Sequence, residues 1–140
     1  LQQINQDGKI FCLDIAKNMI SLAKVKILDK RVKFIIGDIH SQKLKDLVFD
    51  SIICFNMFPH IDNKPIFLKR AYIRLKKGGQ ITICHDQTRE KIISIHQQHA
   101  VSKNISEFPE TQEILKIMIQ SGFKPTCCQD KSFFFIQAIK

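Results

Sequence analysis

Phe49-Asp-Ser-Ile-Ile-Cys-Phe55, Asn56-Met-Phe-Pro-His60, a helical segment, Lys77-Gly-Gly79 and Gln80-Ile-Thr-Ile-Cys84: this stretch decides the fold. Two apolar runs separated by a helix read as a βαβ unit, parallel and right-handed by the crossover rule. Neither run alternates as a half-exposed strand does, so helices are expected on both faces of the sheet. Asp62-Asn63 followed by Pro65 marks the helix start. Phe67, Ala71, Tyr72 and Leu75 supply its buried face, with Gly78 expected as a left-handed cap. In open parallel sheets ligands bind beyond the carboxyl ends of the strands. The loops that open at Asn56 and His85 are therefore the first places to look for chemistry.

Upstream, Lys9-Ile-Phe-Cys-Leu-Asp14 is a strand ending in an acid. Met19, Leu22, Ala23 and Ile27 follow at helical spacing and predict an amphipathic helix. Val32-Lys-Phe-Ile-Ile36 is a second strand, closed by Gly37-Asp38, and residues 41–48 make a connection or one ragged helical turn. Downstream, His85-Asp-Gln-Thr-Arg89 is a polar loop, 90–99 is helical and 101–109 is loop. Residues 110–120 form a helix with Ile114, Ile117 and Met118 on one face, stopped by Gly122. The runs 124–129 and 132–139, separated by Asp130-Lys131, predict a hairpin. The fold class is α/β, with alternating units first and an antiparallel hairpin last.

A chain of 140 residues is one domain by size, and 44% hydrophobic residues can bury a substantial core. No apolar run approaches the roughly 20 residues of a membrane helix, and the first residues lack a signal-peptide pattern. The chain opens at Leu1, just ahead of a strand, as expected of a piece cut from a longer protein. Cys12, Cys54 and Cys84 lie in apolar runs, and none of the five cysteines forms a CxxC pair. A reduced, cytoplasmic protein is expected. Cys127 and Cys128 are strand neighbours whose side chains point to opposite faces, and read as structural. The net charge of +9 comes mostly from lysine, 18 of 22 basic residues, scattered over every helix and loop. That pattern reads as a solvated surface and not as a nucleic-acid interface.

The ordered set of strand-Asp14, Gly37-Asp38, Phe49-Asp-Ser-Ile-Ile53, Arg74-Leu-Lys-Lys-Gly-Gly79, Ser121-Gly-Phe123 and terminal hairpin resembles the Rossmann-like S-adenosylmethionine-dependent methyltransferases, small-molecule branch. The resemblance runs from Lys9 to the C-terminus. It implies a methyltransferase sheet whose opening strand and glycine-rich loop have no match here, so the domain is expected to be incomplete before its second strand. Roughly 30 residues or more, one βα unit with its lead-in, would be missing. Two half-sheets with unpaired edges are the expected result, and such edges offer a route to self-association. The 140 residues alone are then expected to bind S-adenosylmethionine poorly.

By position, Asp14 either caps the next helix or accepts from both hydroxyls of a ribose; the resemblance implies the ribose role, with Ile15 and Met19 flanking adenine. Asp38 is either a turn aspartate or, as the resemblance implies, the acceptor for the adenine amino group, with Ile39 against the ring. A nicotinamide-binding protein shares the Asp14 argument but predicts neither Asp38 nor the hairpin. Asn56 stands where the methionine half of the cofactor passes in this family, contributing its main chain or holding the loop shut. His60 is either a base or a histidine packed on the helix start. His85 and Arg89 flank one loop, and His96 and His99 stand three apart on one helix face. Three histidines can bind zinc, but no cysteine or carboxylate ligand pattern accompanies them, and no metal is expected. The segment resembles one that lids the acceptor pocket in some bacterial methyltransferases. His60 and His85 are thus the catalytic candidates, with Arg89 and His96 binding the acceptor. Methyl transfer to a small-molecule acceptor, within a longer protein, is the function implied; the alternative is a degenerate copy without activity.

Overall fold

The computed structural model describes residues 4–98 and 108–140, and these divide between Asp46 and Leu47 into two compact units. His99 and residues 101–107 of the expected loop lie outside the described residues.

The first unit contains β1 (Ile10–Asp14), α1 (Lys17–Lys26), β2 (Val32–Ile36) and a 3-10 turn at Gln42–Leu44. The strands are parallel, with Ile10 opposite Val32 and Asp14 opposite Ile36. Both therefore end on the same side, where the Gly37 N–H donates to the Asp14 carbonyl at 2.9 Å. The helix forms where the periodicity places it, but its apolar face is largely uncovered. Ile20 is its one buried residue, while Met19 and Leu22 are 55% and 56% exposed. Two strands offer a narrow platform, and a single helix cannot bury a full stripe on it. Ile20, Ile35, Ile39 and Leu44 make up the buried apolar set of this unit.

The second unit contains β3 (Phe49–Phe55), α2 (Lys64–Arg74), β4 (Leu75–Cys84), α3 (Arg89–Gln98), α4 (Thr111–Gln120), β5 (Lys124–Asp130) and β6 (Phe134–Ile139). Its sheet has the order β3-β4-β6-β5, with β3 and β4 parallel and the other pairs antiparallel. The βαβ unit and the terminal hairpin are both as expected. Asn63 caps α2 by accepting from the Ile66 N–H at 3.0 Å, and Pro65 stands in the first turn. Phe67, Leu68 and Ala71 of α2 and Ile114 and Met118 of α4 are buried, as are Ile81, Ile83, Ile136 and Ala138 on one face of the sheet. Each of the larger side chains, those of Phe, Leu, Ile and Met, contributes roughly 1.5–3 kcal/mol when fully buried.

Two expectations need correction here. Helices do not cover both faces of β3: Cys54 is buried, but Ile53 and Phe55 are 69% and 59% exposed. The helices that pack on this sheet bury the opposite face. Gly78 does not cap α2, which ends at Arg74 with extended Leu75 as its cap. Gly78 instead has φ +77° within β4, where Lys76, Lys77, Gly78 and Gly79 stand against Asp50 alone. This bulge needs a residue that tolerates the left-handed region. Among the described residues no helix is long and apolar enough to cross a membrane.

Candidate active site

In the first unit, the ends of the parallel strands present two acids. The Asp14 Oδ1 accepts from the Ala16 N–H at 2.8 Å, and the Asp38 Oδ1 accepts from the His40 N–H, also at 2.8 Å. Both therefore perform the turn-forming role of a short acidic side chain. The second oxygen of each is not engaged by any described residue and can accept from a ligand. Ile15, next to Asp14, is 78% exposed, and Met19 lies one helical turn on. Ile39 is buried. Two carboxylates and exposed apolar side chains at strand ends fit the donors and ring of an adenosine.

In the second unit, β3 and β4 are parallel neighbours, so the loops after them emerge side by side. Asn56 fastens the two loops together. Its N–H donates to the Cys84 carbonyl at 3.0 Å, and its Oδ1 accepts from the Asp86 N–H at 3.1 Å. It does so at φ +50°, a conformation in which asparagine is enriched among non-glycine residues.

These two loops and α3 bring three histidines into one neighbourhood. His60 ends a 3-10 turn (Phe58–His60), and its ring centroid lies 5.1 Å from that of His96 on α3. His85 directly follows β4 and is only 5% exposed, enclosed by Phe108 at 5.6 Å and Phe134 at 6.4 Å between centroids. Its Nε2 is buried and has no hydrogen-bond partner among the described residues. Burial lowers the His85 pKa, Asp86 opposes this, and positive charge on His60 and His96 lowers it further. Burial and the neighbouring His60 lower that of His96 as well. Both shifts favour the neutral imidazole, the form a base needs.

Arg89 lies beside this group but points elsewhere. Its Nε donates to the Pro109 carbonyl at 2.7 Å and its Nη2 to the Phe108 carbonyl at 2.9 Å. The Nη2 also pairs with Glu110 at 2.9 Å, and the guanidinium carbon stands 5.9 Å from the Phe108 ring centroid. Phe108 and Lys64 escape a reading of the sequence. Phe108 is 4% exposed and packs on Phe58, His85 and Phe134; a lone aromatic in a polar loop has no periodicity to betray it. Lys64 is 5% exposed, and its Nζ donates to the Ile61 carbonyl at 2.9 Å, pinning the turn that carries His60. Cys54, buried behind this end of the sheet, has its thiol pushed up to about 12 by burial and by Cys84, so it is no nucleophile.

A parallel pair with acids at its ends, a βαβ unit and a closing antiparallel hairpin define the class as Rossmann-like α/β. The model of the methyltransferase domain family matches residues 1–83. This chain belongs to that family, the Rossmann-like S-adenosylmethionine-dependent methyltransferases, whose cofactor is S-adenosylmethionine. Phosphoethanolamine N-methyltransferase 3 of Arabidopsis thaliana is 25% identical over 138 residues, covering 97% of this chain. Phosphoethanolamine N-methyltransferase 1 of the same plant is 24% identical over 136 residues and 96% of the chain. The chain spans 28% of the length of each. An S-adenosylmethionine-dependent methyltransferase from Mesorhizobium loti has the same fold, with a TM-score of 0.77 at 11% identity over 95% of this chain and 81% of that one. Human N-acetylserotonin methyltransferase in complex with SAM gives 0.68 at 17% identity over 94% of this chain and 40% of that one.

Proposed function

We propose that this chain, as part of a longer protein, transfers a methyl group to the nitrogen of a small amine. The observation that carries the proposal is the buried Nε2 of His85, without a partner among the described residues, beside the His60–His96 pair. An amine reaches an enzyme near neutrality as an ammonium and is a nucleophile only after losing a proton. His85 or His60 accepts that proton: an N–H bond of the acceptor breaks, an imidazole N–H forms, and the nitrogen keeps the electron pair. His96 binds the acceptor from the facing helix. The relatives named for phosphoethanolamine N-methylation make that amine the first acceptor to try.

S-adenosylmethionine, when bound, supplies a methyl group already activated by its sulfonium. Asp14 is assigned to the ribose hydroxyls, Asp38 to the adenine amino group, and Ile15, Met19 and Ile39 to the ring. Asn56 is assigned to the methionine half on the family resemblance, besides holding its two loops together. Arg89, expected from sequence to bind the acceptor, directs its guanidinium to Phe108, Pro109 and Glu110 and enters the proposal as support for the histidines.

The test is transfer of labelled methyl by the complete protein to a panel of amines, phosphoethanolamine among them, beside hydroxyl acceptors of similar size. Label on nitrogen is expected, with His85→Gln and His60→Gln each lowering turnover by about 10²-fold or more. Label on oxygen alone, or full turnover in both variants, overturns the assignment.

A further inference from the structure

We propose that Arg89 is a positioning residue, a clamp that holds Phe108 over His85 and so keeps a buried imidazole nitrogen, unpartnered among the described residues, out of water. The geometry is specific. Three groups meet one guanidinium: the Phe108 carbonyl, the Pro109 carbonyl and the Glu110 carboxylate, at 2.9, 2.7 and 2.9 Å. They belong to three consecutive residues, so the fork fixes the chain direction at Phe108 as well as its distance. Only a planar donor set can meet such an arrangement; an ammonium on a flexible stem cannot. The Arg89 side chain is 17% exposed, so these bonds are shielded from solvent, whereas its partner Glu110 is 75% exposed and contributes the least. The Arg89 N–H also donates to Asp130 Oδ1 at 2.8 Å, which ties the start of α3 to the end of β5.

What the clamp holds is an aromatic cover. The Phe108 ring lies 5.6 Å from the ring of His85, 5.0 Å from Phe134 and 6.5 Å from Phe58, all between centroids. Phe134 and Phe58 are themselves fully buried, so Phe108 is the piece that closes an apolar box around one imidazole. The His85 N–H of the backbone is already fixed to the Phe134 carbonyl at 2.9 Å. The cover therefore does not place His85; it decides how wet its side chain is. Among the described residues, the ionisable groups that bear on His85 are Asp86 on its own loop, His60 on the turn after β3, and His96 on α3. None of them lies on the segment carrying Phe108, so displacing that segment changes solvent access before it changes charge. The inference adds to the proposed amine chemistry a reason for a dry base, but it stands on geometry that needs neither cofactor nor acceptor.

The experiment follows each imidazole by heteronuclear NMR through a pH titration, together with its rate of acylation by diethyl pyrocarbonate. Arg89→Lys keeps the charge and loses the fork. The expected result is that His85 alone titrates higher, toward an exposed histidine, and is acylated several-fold faster, while His96 keeps its wild-type midpoint. An unchanged His85 in Arg89→Lys overturns the clamp. If all histidines shift together, the variant has unfolded, and Phe108→Leu decides: it keeps the backbone carbonyl that Arg89 grips but removes the ring. His85 must then become acylated faster in that folded variant, and wild-type protection there overturns the proposal. Loss of methyl transfer is not read in either arm, so failure of the amine assignment and failure of the clamp are separate outcomes.

Discussion

The two units solve the problem of presenting functional side chains in opposite ways. The first carries its acids on the ends of two short parallel strands and has little core. Ile15, Met19, Leu22, Val25 and Leu28 are all more than half exposed, against a buried set of only Ile20, Ile35, Ile39 and Leu44. The second packs a full core against one face of its sheet, where Phe58, Leu68, Ile81, Ile83, Ile114, Met118, Phe134 and Ile136 are at or near zero exposure, although Ile53 and Phe55 on the other face of β3 stay exposed. Strand ends place a carboxylate by backbone geometry alone, and a turn hydrogen bond is enough to aim it. Lowering the pKa of a histidine by burial needs more. It takes packed aromatic side chains and, at His85, a clamp to hold them.

That contrast sets the order of expected effects. Phe58→Ala in the second unit should destabilise by about 3–5 kcal/mol, read as a lowered denaturant midpoint, whereas Leu22→Ala in α1 should stay within roughly 0.5 kcal/mol. Equal losses at both sites would erase the difference between the units. Asp14→Ala, in the complete protein, should weaken S-adenosylmethionine binding by about 2–3 kcal/mol without unfolding, since it removes charge-assisted hydrogen bonds. Calorimetric titration of both proteins reads this directly; an unchanged affinity would leave Asp14 as a turn residue.

A smaller effect is the pH dependence of stability. His85 and His96 have folded-state pKa values below the ordinary value of about 6.5. The unfolded chain therefore takes up their protons first as pH falls. Their contribution is fully present above that value and is lost as the solution is acidified through it toward the folded values. Denaturant midpoints at pH 7.5 and pH 5.5 should differ accordingly, and His85→Phe should flatten the profile. Smallest of all, Lys76→Ala should change stability by less than about 1 kcal/mol, because the Lys76–Asp50 pair is largely exposed. A greater loss would mean that the bulge at Gly78 depends on that pair.

Most of the architecture was legible because it is written in local signals. Apolar runs ended by Asp14, Gly37 and Asn56 gave the strands, and Asn63 with Pro65 gave the start of α2. That the loops opening at Asn56 and His85 stand side by side was legible too, since loops after adjacent parallel strands must emerge together. What stayed hidden depends on tertiary context. The spacing of Met19 and Leu22 predicts an apolar stripe but cannot say whether anything covers it. Gly78 sits where a cap and a bulge look alike in sequence, as both want a positive φ. Arg89 in a polar loop reads as a ligand for the acceptor because the carbonyls it grips, those of Phe108 and Pro109, are about twenty residues away.

The histidines rest on a well-packed unit while the acids rest on an open one. Hydrogen exchange of the 140-residue chain, resolved by peptide, tests it most directly, because protection reports the free energy of local opening. Amides of β4 and β6 are expected to be protected to near the global stability, with those of β1, α1 and β2 exchanging about a hundredfold faster or more, a gap of roughly 2.7 kcal/mol. Equal protection in the two units, or stronger protection in β1 and β2, would contradict it.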